Sequence, residues 1–363
     1  MSSLADALRN PIALAPNRPP RFYRGGRLLE AFRGRPGGDD DDRPEDWVGS
    51  ATRTWTPPGA PPSDIGPSRI ELGGRSVRLD EVLGAEPEAM VGALWLAAAG
   101  PTLGLLVKLL DPGMRLPVHV HPTREAARRL LASPFGKTEA WIVLGTRAEA
   151  TPARVWAGFR GPIRPDQLRA WIATQDTDAL LGALAEHPVR AGDALLIPGG
   201  TPHAIGPGIL LLELQEPTDF SVVAETRGFP IDESDASLGL GWDRALEFFD
   251  ITARQPELTA PRRVAAGVER LLAPAADPYF RALRVRVDGA RPWPLAPGFA
   301  VAVVLAGSGT VTGPASRLPL TRGTTFALPA AASSEARLVG NGLHLVACLP
   351  PDPHALLSDP LVD

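Results

Sequence analysis

Residues 113–121 read GMRLPVHVH and residues 192–203 read GDALLIPGGTPH. Each opens on glycine, carries proline and ends in histidine, and together they decide the fold. In the first, alternation puts His119 and His121 on one face of a strand and Val118 and Val120 on the other. Gly113 and Pro117 shape the approach to that strand. In the second, Asp193 stands at a turn before the apolar run, Gly200 and Pro202 bend the chain, and His203 can reach back across a barrel. Between them Glu139 opens EAWIVLG, an apolar run closed by Gly145. Three imidazoles and a carboxylate suit one divalent metal with positions left open, as a catalytic site needs. The expectation is a metal site at the mouth of a β-barrel, and an enzyme.

Glu125 is the rival carboxylate, four residues after His121, but REAARRLLAS (124–133) has the spacing of a short helix. Glu139, at the start of a strand, has the better context. His187, His344 and His354 are scattered and read as histidines satisfied within the fold.

Further from these stretches, LGLLVKLL (103–110) reads as a buried strand with Lys108 embedded, followed by a turn at Asp111-Pro112-Gly113. ILLLELQ (209–215) and FSVVAE (220–225) read as strands. Residues 164–187 read as two helices or one bent helix, and SRIELGGRSV (68–77) as short strands with a turn. GRPGGDDDDRPED (34–46) reads as a solvated loop, its aspartate run a surface turn rather than a metal site. Residues 241–276 mix helix and loop. Beyond them YFRALRVRVDG, FAVAVVLAGSGTV, TRGTTFALPAAAS and LHLVACLP are short strands with glycine-rich turns. The expected organisation is a metal-binding domain over 1–240 with a helical insert at 164–187, a helical linker over 241–275, and a smaller barrel over 276–363 without metal ligands.

Forty prolines and 37 glycines in 363 residues favour short strands joined by turns. A net charge of −4 and no basic tract argue against a nucleic-acid partner. No apolar run reaches membrane-spanning length, and MSSLADALRN lacks the regions of an export signal, so a cytoplasmic protein is expected. Cys348 has no cysteine to pair with. A monomer is the default. Only two of the 37 basic residues are lysines, and both, Lys108 and Lys137, flank the histidine pair. Lysine can be tuned for proton chemistry in a way guanidinium cannot.

The pair G-x5-HxH and G-x5-PxGxxH resembles the two motifs of the cupin superfamily. LLVKLLDPGMRLPVHVHP, FGKTEAWIVL and RAGDALLIPGGTPHAIGPGILLLELQ, with FYRGGRLLEAF near the N-terminus, resemble type I phosphomannose isomerases. The resemblance implies a mainly β fold of two jelly-roll (cupin) barrels with a helical insertion. It implies zinc-dependent interconversion of mannose 6-phosphate and fructose 6-phosphate. Zinc is the first choice of metal, with iron, manganese, nickel or cobalt chemically possible. Matched residue by residue, His121, Glu139 and His203 take the place of family zinc ligands, and His119 stands where the family has glutamine. Lys108 and Lys137 match lysines lining the substrate site, Glu213 an acidic residue near the reacting carbons, and Asp219 another polar site residue. Val223 stands where the family has an arginine. Arg227, Arg147 or Arg160 could compensate, or the sugar could lack phosphate. Other metal-cupin chemistry (a dioxygenase or epimerase) and a sugar-binding protein with a degenerate site are the rival readings.

Overall fold

The computed structural model describes residues 4–72, 74–150 and 152–358. Two five-stranded antiparallel sheets position the site. The first runs in the order Ala194–Ile197, Glu139–Thr146, Ile209–Gln215, Leu106–Leu110, Glu45–Val48. The second runs Val222–Val223, His119–Val120, His203–Ile205, Arg154–Phe159, Leu184–Pro188. A third sheet holds eight strands. It gathers the long C-terminal strands Arg281–Pro292, Ala300–Thr312 and Arg337–Leu349, and takes in Ile12–Ala13 from near the start of the chain.

The expected pair of closed jelly-roll barrels of the cupin type is corrected here. Among the described residues none of these sheets closes on itself, and short helices alternate with the strands along the chain, giving a mixed α and β architecture. Proline also keeps a central strand short. His119–Val120 is only two residues long because Pro117 and Pro122 flank it, and neither has an N–H to extend the ladder. Alternation identifies which side chains share a face; it does not say whether the last strand meets the first.

The first sheet is buried on both faces. Val107, Leu109, Ala140, Ile142, Leu212 and Leu214 join a core that reaches the short helices and the C-terminal sheet. Leu110, Trp141, Val143, Leu195 and Leu211 face the other way, against Val155, Ala157 and Ile205 of the second sheet. This explains why its strands read as unbroken apolar runs.

The helical segment is two helices, Pro165–Thr174 and Thr177–Gly182, broken at Gln175, whose φ of 51° lies in the left-handed region. The end of the stretch expected to be helical is instead the strand Leu184–Pro188. The solvated-loop reading of 34–46 holds only in part. Glu45 and Asp46 begin a strand and are buried, and Asp40 and Asp41 pair with Arg147 and Arg18. No helix among the described residues is long and apolar enough to cross a membrane.

Candidate metal centre and pocket

Strand register places one charged residue from each of two apolar runs side by side. Trp47 pairs with Lys108, Lys108 with Glu213, and Glu213 with Trp141, a row across four strands. Cross-strand partners share a face, so all four point toward the second sheet. Lys108 Nζ lies 3.4 Å from Glu213 and 3.5 Å from Glu45, and 5.0 Å from the centre of the Trp47 ring. Two carboxylates are fixed by one device. In Glu45-Asp46-Trp47 and in Glu139-Ala140-Trp141 the indole N–H donates to the carboxylate two residues back, at 2.6 and 2.9 Å.

The second sheet supplies the imidazoles. His203 pairs directly with His119 across adjacent strands, and His121 follows two residues on from His119. The three rings lie 4.1 to 5.0 Å apart between centroids. Each Nδ1 meets a backbone carbonyl: His119 that of Pro117 at 2.8 Å, His121 that of Phe220 at 2.7 Å, His203 that of Thr201 at 2.8 Å. Since a carbonyl only accepts, the proton sits on Nδ1 and each Nε2 keeps the lone pair a metal would take, that of His121 being met by Lys137 Nζ at 3.0 Å. Glu139 approaches from the first sheet, 3.1 Å from His121 Nε2 and 3.3 Å from His203 Nε2. Gly136 and Gly199 close the fold behind this cluster. A Cβ on either would come within 2.5 Å of the Pro122 carbonyl.

The donor set fits a divalent metal. The ligand atoms of His119, His121 and His203 lie within 4.8 Å of one another. Glu139 Oε2 and His203 Nε2 are buried without a hydrogen-bond partner, a costly state for polar atoms that a cation would relieve. Burial keeps the imidazoles neutral: His121 is lowered to about 3 and His203 to about 4, and His119 falls well below its ordinary value. Neutral imidazole is the metal-binding form.

A cavity of about 280 Å³ opens onto this cluster and is walled also by Lys108, Lys137, Glu213, Asp219 and Val223. Burial and then the Glu139 charge push Glu213 up to about 7, against the pull of Lys108 and Lys137. Burial works against the Lys108 ammonium, yet Glu45 and Glu213 outweigh it and raise its pKa. Lys137 goes the other way, lowered by burial and by Lys108, with its Nζ 3.0 Å from His121 Nε2.

Of the eight residues singled out in the sequence, His119, His121, Glu139, Lys108, Lys137, Glu213 and Asp219 line this cavity, and His203 stands behind it in the histidine cluster. Glu125 does neither; it lies on the helix Arg124–Leu131. None of the three arginines considered as compensation for Val223 lines the cavity. Arg147 forks onto Asp40 at 2.6 Å and reaches Asp111, Arg160 donates to the Gly182 carbonyl, and Arg227 donates to the Thr174 carbonyl. Sequence reasoning missed Arg21, Tyr23 and Glu45, which line the wall beside Lys108. The available signal was the repeated Glu-x-Trp of 45–47 and 139–141.

No family model matches the chain. A curated mannose-6-phosphate isomerase of Streptococcus mutans is 30% identical over 230 residues, covering 62% of this chain and 68% of the relative. Among solved structures, a mannose 6-phosphate isomerase of Bacillus subtilis superposes with a TM-score of 0.71 at 22% identity, covering 93% of this chain and 99% of the other. A phosphomannose isomerase variant from Salmonella typhimurium gives a TM-score of 0.70 at 16% identity, covering 94% of this chain and 100% of the other. At those identities the superpositions carry the fold alone.

Proposed function

The chain belongs to the type I mannose-6-phosphate isomerase family, and on that premise we propose that it interconverts mannose 6-phosphate and fructose 6-phosphate with one bound divalent metal. The observation that carries the reading is the clustering of three imidazoles, two of them with Nε2 within 3.3 Å of Glu139, beside a cavity that Glu213 also lines. His119, His121, His203 and Glu139 would hold the metal. Zinc is the first choice for three nitrogens and one oxygen, and iron, manganese, nickel and cobalt accept the same atoms. When bound, the metal supplies Lewis acidity toward the sugar oxygens at C1 and C2.

The proton work falls to this chain's side chains. Glu213, with a proton affinity near neutrality, takes the proton from C2 of the open-chain aldose and returns it to C1, while the O2 hydroxyl proton passes to O1, leaving the ketose. Lys108, between Glu45 and Glu213, holds that carboxylate in place and offsets its charge. Lys137, the cation beside His121 and Glu139, is placed to bind a sugar oxygen or assist ring opening. Asp219 accepts from Arg21 and from the Trp55 backbone N–H and adds a carboxylate to the cavity lining. All these residues lie before 241, within the span read as the metal-binding domain. We place the protein in the cytoplasm as a monomer acting on a small sugar phosphate.

Incubating the metal-loaded protein with mannose 6-phosphate and measuring ketose formation tests the reading. Fructose 6-phosphate is expected. No ketose from the phosphorylated or the free sugar would sink it. An oxygen-dependent product with bound iron would favour the dioxygenase chemistry that three histidines and a glutamate also support.

A further inference from the structure

We propose that Arg21 is the specificity residue of this pocket, the guanidinium that recognises the anionic group of the sugar. The proposal rests on the isomerase reading above and adds a residue to it. Three cations line the cavity: Lys108, Lys137 and Arg21. Lys137 lies at the histidine cluster, and Lys108 is enclosed by Glu45 and Glu213, each 4% exposed at the side chain. Arg21 is the most accessible of the three, 16% exposed against 4% for Lys108 and 6% for Lys137. Of the three, Arg21 is therefore the cation most open to an anionic group entering the cavity.

Two carboxylates, Asp219 and Glu45, face it, but its hydrogen bonding to them is loose. The fork to Asp219 measures 3.3 Å on both nitrogens, longer than the 2.7–2.9 Å typical of a charge-assisted bond. Asp219 also accepts from Trp55 N, so its oxygens are shared. Arg21 Nε is buried and makes no hydrogen bond, although Glu45 Oε1 is 3.1 Å away. A phosphate presents the planar pair of acceptors that a guanidinium matches and an ammonium does not. The guanidinium lies 5.8 Å from the centre of the Trp47 ring, and the Asp42 carbonyl accepts its backbone N–H, so it is held from both ends. Val223, also lining the cavity, offers an anion nothing.

The test compares kcat/KM for mannose 6-phosphate and for free mannose in the metal-loaded wild type, Arg21→Lys and Arg21→Gln. Losing a bidentate charged contact should lower the phosphorylated-to-free ratio about tenfold to a hundredfold in Arg21→Gln. Arg21→Lys, which keeps the charge and the pairing with Asp219, should fall between. If Arg21→Gln does not fold, Arg21→Lys decides alone. A ratio within twofold of wild type, or equal losses on both sugars as expected of a merely structural arginine, overturns the proposal. Competition by inorganic phosphate separates this outcome from failure of the isomerase reading. A wild type that makes no ketose yet binds phosphate more tightly than Arg21→Gln would leave Arg21 as the anion site and remove the reaction. If Arg21→Gln binds phosphate as tightly as the wild type, Arg21 is not the anion site.

Discussion

The two facing sheets and the eight-stranded sheet are built from similar strands but bury different things. The core of the eight-stranded sheet is Val285, Val304, Phe326, Leu345 and their apolar neighbours. Among the described residues beyond 276, only Thr325 and Ser333 are buried polar side chains. The facing sheets bury Glu45, Lys108, His121, Glu139, His203 and Glu213. Burying an ion costs several kcal/mol that pairing only partly returns. One sheet is therefore arranged for stability, whereas the other carries a standing electrostatic cost that makes sense only if it binds or reacts.

The largest effect on that contrast should come from the imidazoles. His203→Ala or His121→Ala should abolish stoichiometric divalent metal and reduce turnover at least a thousandfold, as expected when a metal centre is lost, with circular dichroism unchanged. Elemental analysis of the purified variants checks this, and full occupancy in both would remove them from the ligand set.

Next in size is Glu213→Gln, which should keep metal and fold but lose about a hundredfold or more in kcat, the scale of a lost general base. Proton exchange with solvent at the transferred position should vanish with it. The same residue sets the pH dependence. With its pKa raised to about 7, the active, ionised base is present above that value. The acid limb of kcat/KM should therefore bend near pH 7 rather than near 4.5, falling as pH falls. An acid limb that bends in the ordinary carboxylate range would move the base role to another group.

The smallest effect on catalysis should come from the other sheet. Leu345→Ala should cost about 2–5 kcal/mol of stability, as for large-to-small changes in a packed core, while kcat in the folded fraction stays within twofold. Thermal melts and rates on the same samples read both. A large fall in kcat with little loss of stability would show that the eight-stranded sheet feeds the site.

Much of the site was legible because its chemistry is local in the chain. His119 and His121 share a face by alternation, and Lys108 and Glu213 are lone charges in apolar runs, a pattern that demands a partner. Arg21 and Glu45 were hidden because the contacts that bury them are distant in sequence. Arg21 meets Asp219, and Glu45 meets Lys108, while their surroundings read as turns and solvated loop. Arg147 was misjudged for the same reason, since Asp40 and Asp111 hold it away from the cavity. Strand positions were also largely legible, but the ends of the ladders were not. Pro117 and Pro122 cut the His119 strand to two residues, and alternation within a strand does not say whether the outermost strands of a ladder meet.

The central claim is that the buried histidines and Glu139 make this pocket an isomerase by holding a metal. It is tested most directly by removing divalent ions from the wild-type protein with a chelator, then returning one equivalent of zinc and following mannose 6-phosphate by NMR. The account predicts no conversion in the stripped protein and recovery of fructose 6-phosphate formation at one equivalent. Equal conversion by metal-free and zinc-restored protein would contradict it.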